Sequence, residues 1–156
     1  MANEADLRVL TEFTAALAAL RRAHPVFRRQ RFFQGRRIRG SSVDDIAWLR
    51  PDGQHMTEED WTADQPPTIA IFLNGRGIPD RNAMGERIID DSFLLLINAH
   101  HEPVMFALPP KSYGRGWEIV VDTADPLLAG IRHRYALSAT WQRVPARTLR
   151  VLQCRN

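Results

Sequence analysis

The chain has 156 residues, of which 44% are hydrophobic and 25% charged, and its formal net charge is +3, values typical of one soluble globular domain with its own core. No apolar run approaches the ~18 residues of a membrane span, and the acidic start MANEADLRVL is not that of a signal peptide. The single cysteine, Cys154, cannot form an internal disulfide, which fits a reducing compartment, so we expect a cytoplasmic protein.

The first predicted element is a helix over residues 3–23, capped by Asn3 with Asp6 and ended by Pro25. On a helical wheel its apolar side chains fill an arc of roughly 200°, about twice the width that a surface helix needs. These side chains are Leu7, Val9, Leu10, Phe13, Ala16, Leu17, Leu20 and Ala23. We expect a sheet to cover one side of the helix and a further body, or a second copy, to cover the other.

Residues 25–42 alternate arginines with apolar side chains and predict an extended segment docked on the sheet, with turns at 34–35 and 40–42. Its apolar anchors are Val26, Phe27, Phe32, Phe33 and Ile38. Arginines interleaved with aromatic rings could also clamp single-stranded nucleic acid. Anchoring in a sandwich core is the interpretation we favour.

Arginine dominates the basic residues, with twenty arginines against one lysine, and eight arginines fall between Arg21 and Arg39. Such a cluster can bind phosphate groups. The near balance of charge over the chain instead favours a solvated face that pairs with acidic residues. The candidate acidic partners are Asp44, Asp45, Glu58, Glu59 and Asp60.

Seven short apolar or alternating runs, punctuated by turn residues, predict strands. They cover residues 45–49, 68–73, 93–97, 104–108, 117–121, 135–137 and 148–153. Ile46 and Trp48 share one face of the first. The continuous run 93–97 predicts a strand buried on both faces in the middle of a sheet, and residues 104–108 predict its hairpin partner. The fold class is therefore mainly β, an antiparallel β-sandwich preceded by one long α-helix.

A short helix is predicted after Met56, where Thr57 and Asp60 form a capping-box pattern and Trp61 folds back on Met56 as a hydrophobic staple. Glu58 and Glu59 then belong to a helix N-terminus, where negative charge is favoured, rather than to a catalytic pair.

The remaining polar residues indicate neither a catalytic site nor a metal site. Asp90 and Asp91 are adjacent on a strand and face opposite ways. His100 and His101 lie on a predicted turn and should point apart, so no metal site is expected. No nucleophile, phosphate-loop or dinucleotide motif is present, so we expect neither catalytic residues nor a cofactor.

Four tryptophans could stack on sugar rings or fill the core. Trp48, Trp61 and Trp141 are the candidates for substrate binding, and Trp117 lies on a strand that alternates with Ile119 and Val121.

With these residues laid out, the chain resembles the C-terminal region of bacterial glycogen debranching enzymes, isoamylase-type members of the α-amylase group of glycoside hydrolases. The likeness is carried by LAALRRAHPVFRRQRFFQGRRIRG, DIAWLRPDGQHMTEEDW, DDSFLLLINAHHEPVMFALP, WEIVVDTADP and VPARTLRVL, in that order along the chain. The resemblance implies a TIM-type catalytic barrel whose last helix is followed by a β-sandwich.

On that resemblance, residues 1–24 are the end of the barrel and residues 25–156 the sandwich, and Val9, Phe13 and Leu20 face the barrel. The family's catalytic Asp, Glu and Asp perform retaining hydrolysis of α-1,6 branch links in glycogen or limit dextrin. They belong upstream of the matched region, so this chain inherits no catalytic role and should be inactive alone. Its implied partner is the catalytic barrel domain of the same enzyme.

Three alternatives stay open at this point. The chain could be a stand-alone carbohydrate-binding module for α-glucan, or an arginine-rich nucleic-acid-binding protein. It could also associate with itself through Val9, Phe13 and Leu20.

Overall fold

The computed structural model describes residues 3–38, 42–64, 68–128 and 134–155. Two α-helices lie among them: α1 (Glu4–Ala23) and α2 (Glu58–Thr62). A 3₁₀ turn at Pro25–Arg28 follows α1, and another at Gly75–Gly77 follows the second strand. The eight strands are β1 (Ile46–Leu49), β2 (Thr68–Leu73), β3 (Ser92–Asn98), β4 (Val104–Ala107), β5 (Gly116–Asp122), β6 (Tyr135–Leu137), β7 (Trp141–Val144) and β8 (Thr148–Cys154).

The strands form two antiparallel sheets, one of six strands in the order β1-β2-β3-β8-β5-β6 and one of two strands, β4-β7. The mainly antiparallel β prediction is confirmed, as is the central position of β3, which pairs with β2 on one side and β8 on the other. Its continuous apolar run is explained by burial on both faces, where Phe93, Leu94 and Leu96 are fully buried.

The predicted hairpin between β3 and β4 is wrong. β4 pairs with β7 in the small sheet, with Val104 opposite Val144. Asn98 explains why the chain leaves the large sheet after β3. Its side-chain amide donates to the carbonyls of Glu102, Val144 and Pro145 at 2.9, 3.3 and 2.8 Å. These hydrogen bonds join the end of β3 to the segment before β4 and to the end of β7, so β3 and β4 are not connected as a hairpin. β7 itself has no strong apolar alternation and was not predicted.

Two apolar cores lie on opposite faces of the large sheet. The inner core, between the two sheets, contains Trp117, Phe72, Leu94, Phe106 and Val144. The outer core contains Phe93, Val121 and Val151 and is covered by α1 and the segment that follows it. The sandwich therefore carries the helix as a third layer.

The end of α1 is joined through Asp90 to the segment just before β3, so Asp90 and Asp91 do not lie on a strand as predicted. His24 Nδ1 lies 2.7 Å from Asp90 Oδ1, and the Val26 N–H donates to Asp90 Oδ2 at 2.9 Å. The predicted Asn3 cap is confirmed, since the Asn3 side chain accepts from Asp6 N at 2.8 Å. The contacts of His24 and Val26 with Asp90 therefore fix the C-terminal end of the helix.

The segment after the helix is only partly as predicted. It opens with the 3₁₀ turn Pro25–Arg28, which buries Val26. Phe27 and Phe33 pack on the outer core. Phe32, however, is 96% exposed, so its prediction as a core anchor is wrong. No turn forms at residues 34–35, where one was predicted, although Gly35 takes a positive φ of 62°. The turn predicted at 40–42 falls largely outside the described residues.

Candidate functional site

The first candidate surface is the side of α1 that the sheet leaves uncovered. Leu7, Leu10 and Leu17 are 54%, 60% and 38% exposed. Their wheel positions, one and two turns apart, place them on one stripe of the helix. We call this stripe the open face. It is an apolar surface of the kind that other protein bodies cover.

The sheet takes the other half of the predicted arc. Phe13 and Leu20 pack against the outer core, and Val9 is half-buried. The sequence assigned these three residues to the barrel, but the structure places Phe13 and Leu20 on the sandwich side. A helical wheel gives the width of an apolar arc, whereas only the docking of the helix decides which half of that arc the sheet covers.

The second candidate surface is a pair of tryptophans. Trp48 on β1 and Trp61 at the end of α2 have ring centroids 5.5 Å apart and an interplanar angle of 75°. They are 39% and 53% exposed. Two indoles at nearly a right angle form an apolar corner on which the C–H face of a sugar ring can stack. The sequence named both residues but gave no signal that they meet.

The tryptophan pair is held by local hydrogen bonds. The Met56 N–H donates to the Trp48 carbonyl at 2.9 Å. The capping box of α2 is formed as predicted, with Asp60 accepting from the Thr57 N–H at 2.7 Å. That backbone hydrogen bond holds the pKa of Asp60 below its usual value, with smaller help from Arg50. Trp61 is therefore carried on a capped turn of fixed orientation.

Arg50 ties this turn to the preceding loop. It donates to Asp52 through Nε at 3.2 Å and Nη2 at 2.8 Å, and its Nη1 lies 3.9 Å from Asp60 Oδ2. The Gln54 N–H and then Arg50 lower the pKa of the Asp52 carboxyl, and the hydrogen bond with Asp52 raises the pKa of Arg50. These acidic residues stabilise the loop and the helix cap, which is a structural rather than a catalytic use.

Trp141, the third sugar-binding candidate, lies in the other sheet. It is 57% exposed and stands opposite Ala107 in the β4-β7 pair. No aromatic ring contact of Trp141 is found in the part of the chain that the structure describes. Trp117, by contrast, is fully buried in the inner core. Trp141 thus remains a separate candidate from the tryptophan pair.

The adjacent histidines do not point apart, so that prediction is wrong. The rings of His100 and His101 stack at 4.1 Å and 32°, and ligand atoms of His100, His101 and Glu102 lie within 4.8 Å of one another. The turn curls because the Asn98 side chain accepts from the His100 N–H at 3.0 Å. His100 Nδ1 already accepts from the Glu102 N–H at 3.1 Å, which leaves its Nε2 for any metal. That no metal binds here stays a prediction.

Cys154 is buried at the end of β8. Within the described ranges, no helix combines the length and the apolar character needed to cross a bilayer.

Comparison with known proteins finds one matching family model and relatives of two descriptions. Residues 45–132 match the family model described as Isoamylase, C-terminal. The chain is 46% identical over 145 residues to the proteins described as "Glycogen operon protein GlgX homolog" of Mycobacterium bovis and Mycobacterium tuberculosis, covering 92% of this chain and 20% of each relative. It is 27% identical over 113 residues to the isoamylase of Pseudomonas amyloderamosa, covering 72% of this chain and 12% of that relative. The chain therefore spans a fifth or less of the length of these relatives.

Proposed function

This chain belongs to the isoamylase C-terminal family, and from that membership we propose that it is the C-terminal β-sandwich of a glycogen debranching enzyme. In this proposal the whole enzyme hydrolyses α-1,6 branch links in glycogen or limit dextrin, and this chain contributes no catalytic residue. Residues 1–24 correspond to the end of the catalytic barrel, and residues 25–156 form the sandwich. The chain acts as the structural partner of the barrel domain.

The observation that carries the proposal is the open face. Leu7, Leu10 and Leu17 together expose about half of their surfaces, and covering them would contribute roughly 3 kcal/mol at about 1 kcal/mol each. Among the residues that the structure describes, no element of the sandwich covers this stripe. The relatives are several times longer than the matched region, so their additional chain is the natural occupant. Barrel contact is therefore proposed for these leucines rather than for Phe13 and Leu20.

The test places this chain within a relative. Its 156 residues replace the matching region of the Mycobacterium tuberculosis relative, and release of linear chains from branched glucan is measured. Leu10→Asp with Leu17→Asp should abolish the stable, active enzyme, since both carboxylates would be buried against the barrel. Ala15→Asp is the matched control, because Ala15 is an exposed position on the polar side of the same helix. Equal loss in both variants would contradict the proposal.

Self-association of the isolated chain follows from the same open face. We expect light scattering to detect oligomers at high concentration and a hydrophobic dye to bind, both weakened by Leu10→Asp. A monomeric, dye-silent chain would count against a covered interface at this face. A cytoplasmic location belongs to the proposal as well, because the lone buried thiol of Cys154 suits a reducing compartment.

A second candidate function, α-glucan binding by the sandwich itself, rests on the exposed tryptophan pair. Mobility of the chain in a native gel should fall when glycogen is present and recover with competing maltooligosaccharide. Trp61→Ala should remove the retardation, whereas Trp141→Ala should leave it unchanged if the pair is the site. Unchanged mobility of the parent chain would assign the sandwich a purely structural role.

A further inference from the structure

A positively charged surface is built by two stretches that are distant in sequence. Residues 29–37 and 76–87 meet around a cleft of about 380 Å³, and half of its fourteen lining residues are arginines. These are Arg29, Arg31, Arg36, Arg37, Arg76, Arg81 and Arg87. We call it the arginine cleft. The sequence indicated a basic run before residue 40 but carried no signal that residues 76–87 would meet it, so the convergence was not predictable.

The positive charge of the cleft is poorly compensated. Asp45 is the single acidic residue among its described lining residues. Its carboxylate already accepts from Arg29 Nη2 at 3.2 Å and from the Gln34 and Arg36 N–H groups at 3.0 and 3.3 Å. Among the described carboxylates none forms an ion pair with the other six arginines. Within ranges 3–38 and 42–64, the predicted pairing of the basic run with acidic residues is thus confirmed for Arg29 with Asp45; Arg39 lies outside the described residues.

Arg29 is a buried arginine whose hydrogen-bond donors are only partly satisfied. Its side chain is 4% exposed, and its Cζ sits 3.8 Å from the centre of the Phe33 ring. One nitrogen binds Asp45, but Nε and Nη1 find no hydrogen-bond partner among the described residues. Leaving charged donors buried and unpaired is costly, so such groups normally have a partner. Arg29 therefore adds a buried positive charge to the wall of the cleft, and the exposed arginines around it would make the direct contacts to an anion.

The second stretch adds Arg81 and Arg87 to the lining of the cleft. Arg81 and Arg87 stand directly across from each other in an isolated antiparallel bridge, a position where like charges repel. Arg81 Nη1 donates to the Gly85 carbonyl at 2.6 Å, and Arg87 Nη2 to the Arg76 carbonyl at 3.3 Å. These bonds orient the guanidinium groups without neutralising them. Both residues are exposed and line the cleft, so their charges are available to an anion bound there.

We propose that the arginine cleft binds the phosphoryl group of a sugar phosphomonoester. Guanidinium forks match the tetrahedral oxygens of a phosphoryl group and bind them bidentately. The volume suits a small ligand rather than a polymer. Phe32, 96% exposed at the rim, offers its ring to the apolar face of the sugar. A single exposed aromatic ring does not form the run of stacking platforms that single-stranded nucleic acid uses. The inference does not depend on the proposed debranching role.

The test uses the whole chain and glucose 6-phosphate as the probe, titrated by calorimetry at constant ionic strength. Arg87→Gln should weaken binding about tenfold, the effect of losing one charge-assisted contact. Arg8→Gln removes the same charge from a 76%-exposed site on α1 and should leave binding unchanged. Inorganic phosphate should compete with the probe, and neutral glucose should not bind the cleft.

Three results would overturn the proposal: equal binding of glucose and its phosphate, equal loss of affinity in Arg8→Gln and Arg87→Gln, or no binding of the probe. Tighter binding of a single-stranded oligonucleotide than of the probe, with a steep salt dependence, would instead assign the cleft to nucleic acid.

Discussion

The orientation of α1 can be tested by comparing two alanine substitutions on one helix. Phe13 packs against the outer core, and Leu10 is 60% exposed on the open face. Full removal of a buried phenylalanine side chain costs about 3–5 kcal/mol. Because Phe13 is half-buried, Phe13→Ala should lower the free energy of unfolding by about 2 kcal/mol, or Tm by about 6 °C. Leu10→Ala should cost no more than about 0.5 kcal/mol, since alanine also favours the helix.

Both variants are measured by urea denaturation of the chain, followed by circular dichroism at 222 nm, under dilute conditions that keep it monomeric. The contrast should invert when the chain is part of a complete enzyme, where the open face is covered. A loss in Leu10→Ala equal to or larger than that in Phe13→Ala, in the isolated chain, would refute this docking of the helix. It would also move the proposed barrel contact back to Phe13.

Three further predictions concern packing and titration. Gly75→Ala should destabilise the chain by about 3 kcal/mol in urea, because its Cβ would strike the backbone of the loop before β3; Gly116→Ala, whose nearest neighbour would be 3.9 Å away, should be nearly neutral. Burial raises the pKa of the Tyr113 hydroxyl, so absorbance at 295 nm should show one tyrosine titrating late, which Tyr113→Phe removes. The folded pKa of Asp60 is lowered, so its stabilisation of α2 is fully present well above the ordinary pKa of an aspartate and is lost as pH falls through the lower folded pKa. Trp61 emission should change in that acid range, and not in Asp60→Asn.

Each of these has a result that would contradict it. Similar losses at Gly75 and Gly116 would show that the loop can move away from the added methyl group. A single tyrosine phase at the ordinary pKa would mean that Tyr113 is solvated. An acid transition preserved in Asp60→Asn would assign it to another carboxylate.

Local elements were predictable because their signals are local. The caps at Asn3 and Thr57 depend on residues three positions apart, and both are formed. The buried strand β3 was recognised from its own continuous apolar run. β7 was missed because Trp141–Val144 becomes a strand through its pairing with β4, not through its own alternation.

Pairing between distant segments was beyond such signals. The sequence could describe Val104, Phe106 and Leu108 as an alternating strand, but the choice of β7 over β3 as its neighbour depends on the inner core and on the hydrogen bonds of Asn98. The contact of Trp48 with Trp61 and the stacking of His100 on His101 likewise arise from chain folding over several residues.

Amino-acid order alone determined the mainly β class, the capped amphipathic helix and the family resemblance, because these follow from periodicity and from residues close along the chain. Folding in three dimensions decided which half of the helix arc the sheet covers and which side remains open. It also brought Arg29 together with Arg81 and Arg87 across some fifty residues of chain. Such convergence depends on the packing of whole layers, and no short window of sequence carries that information.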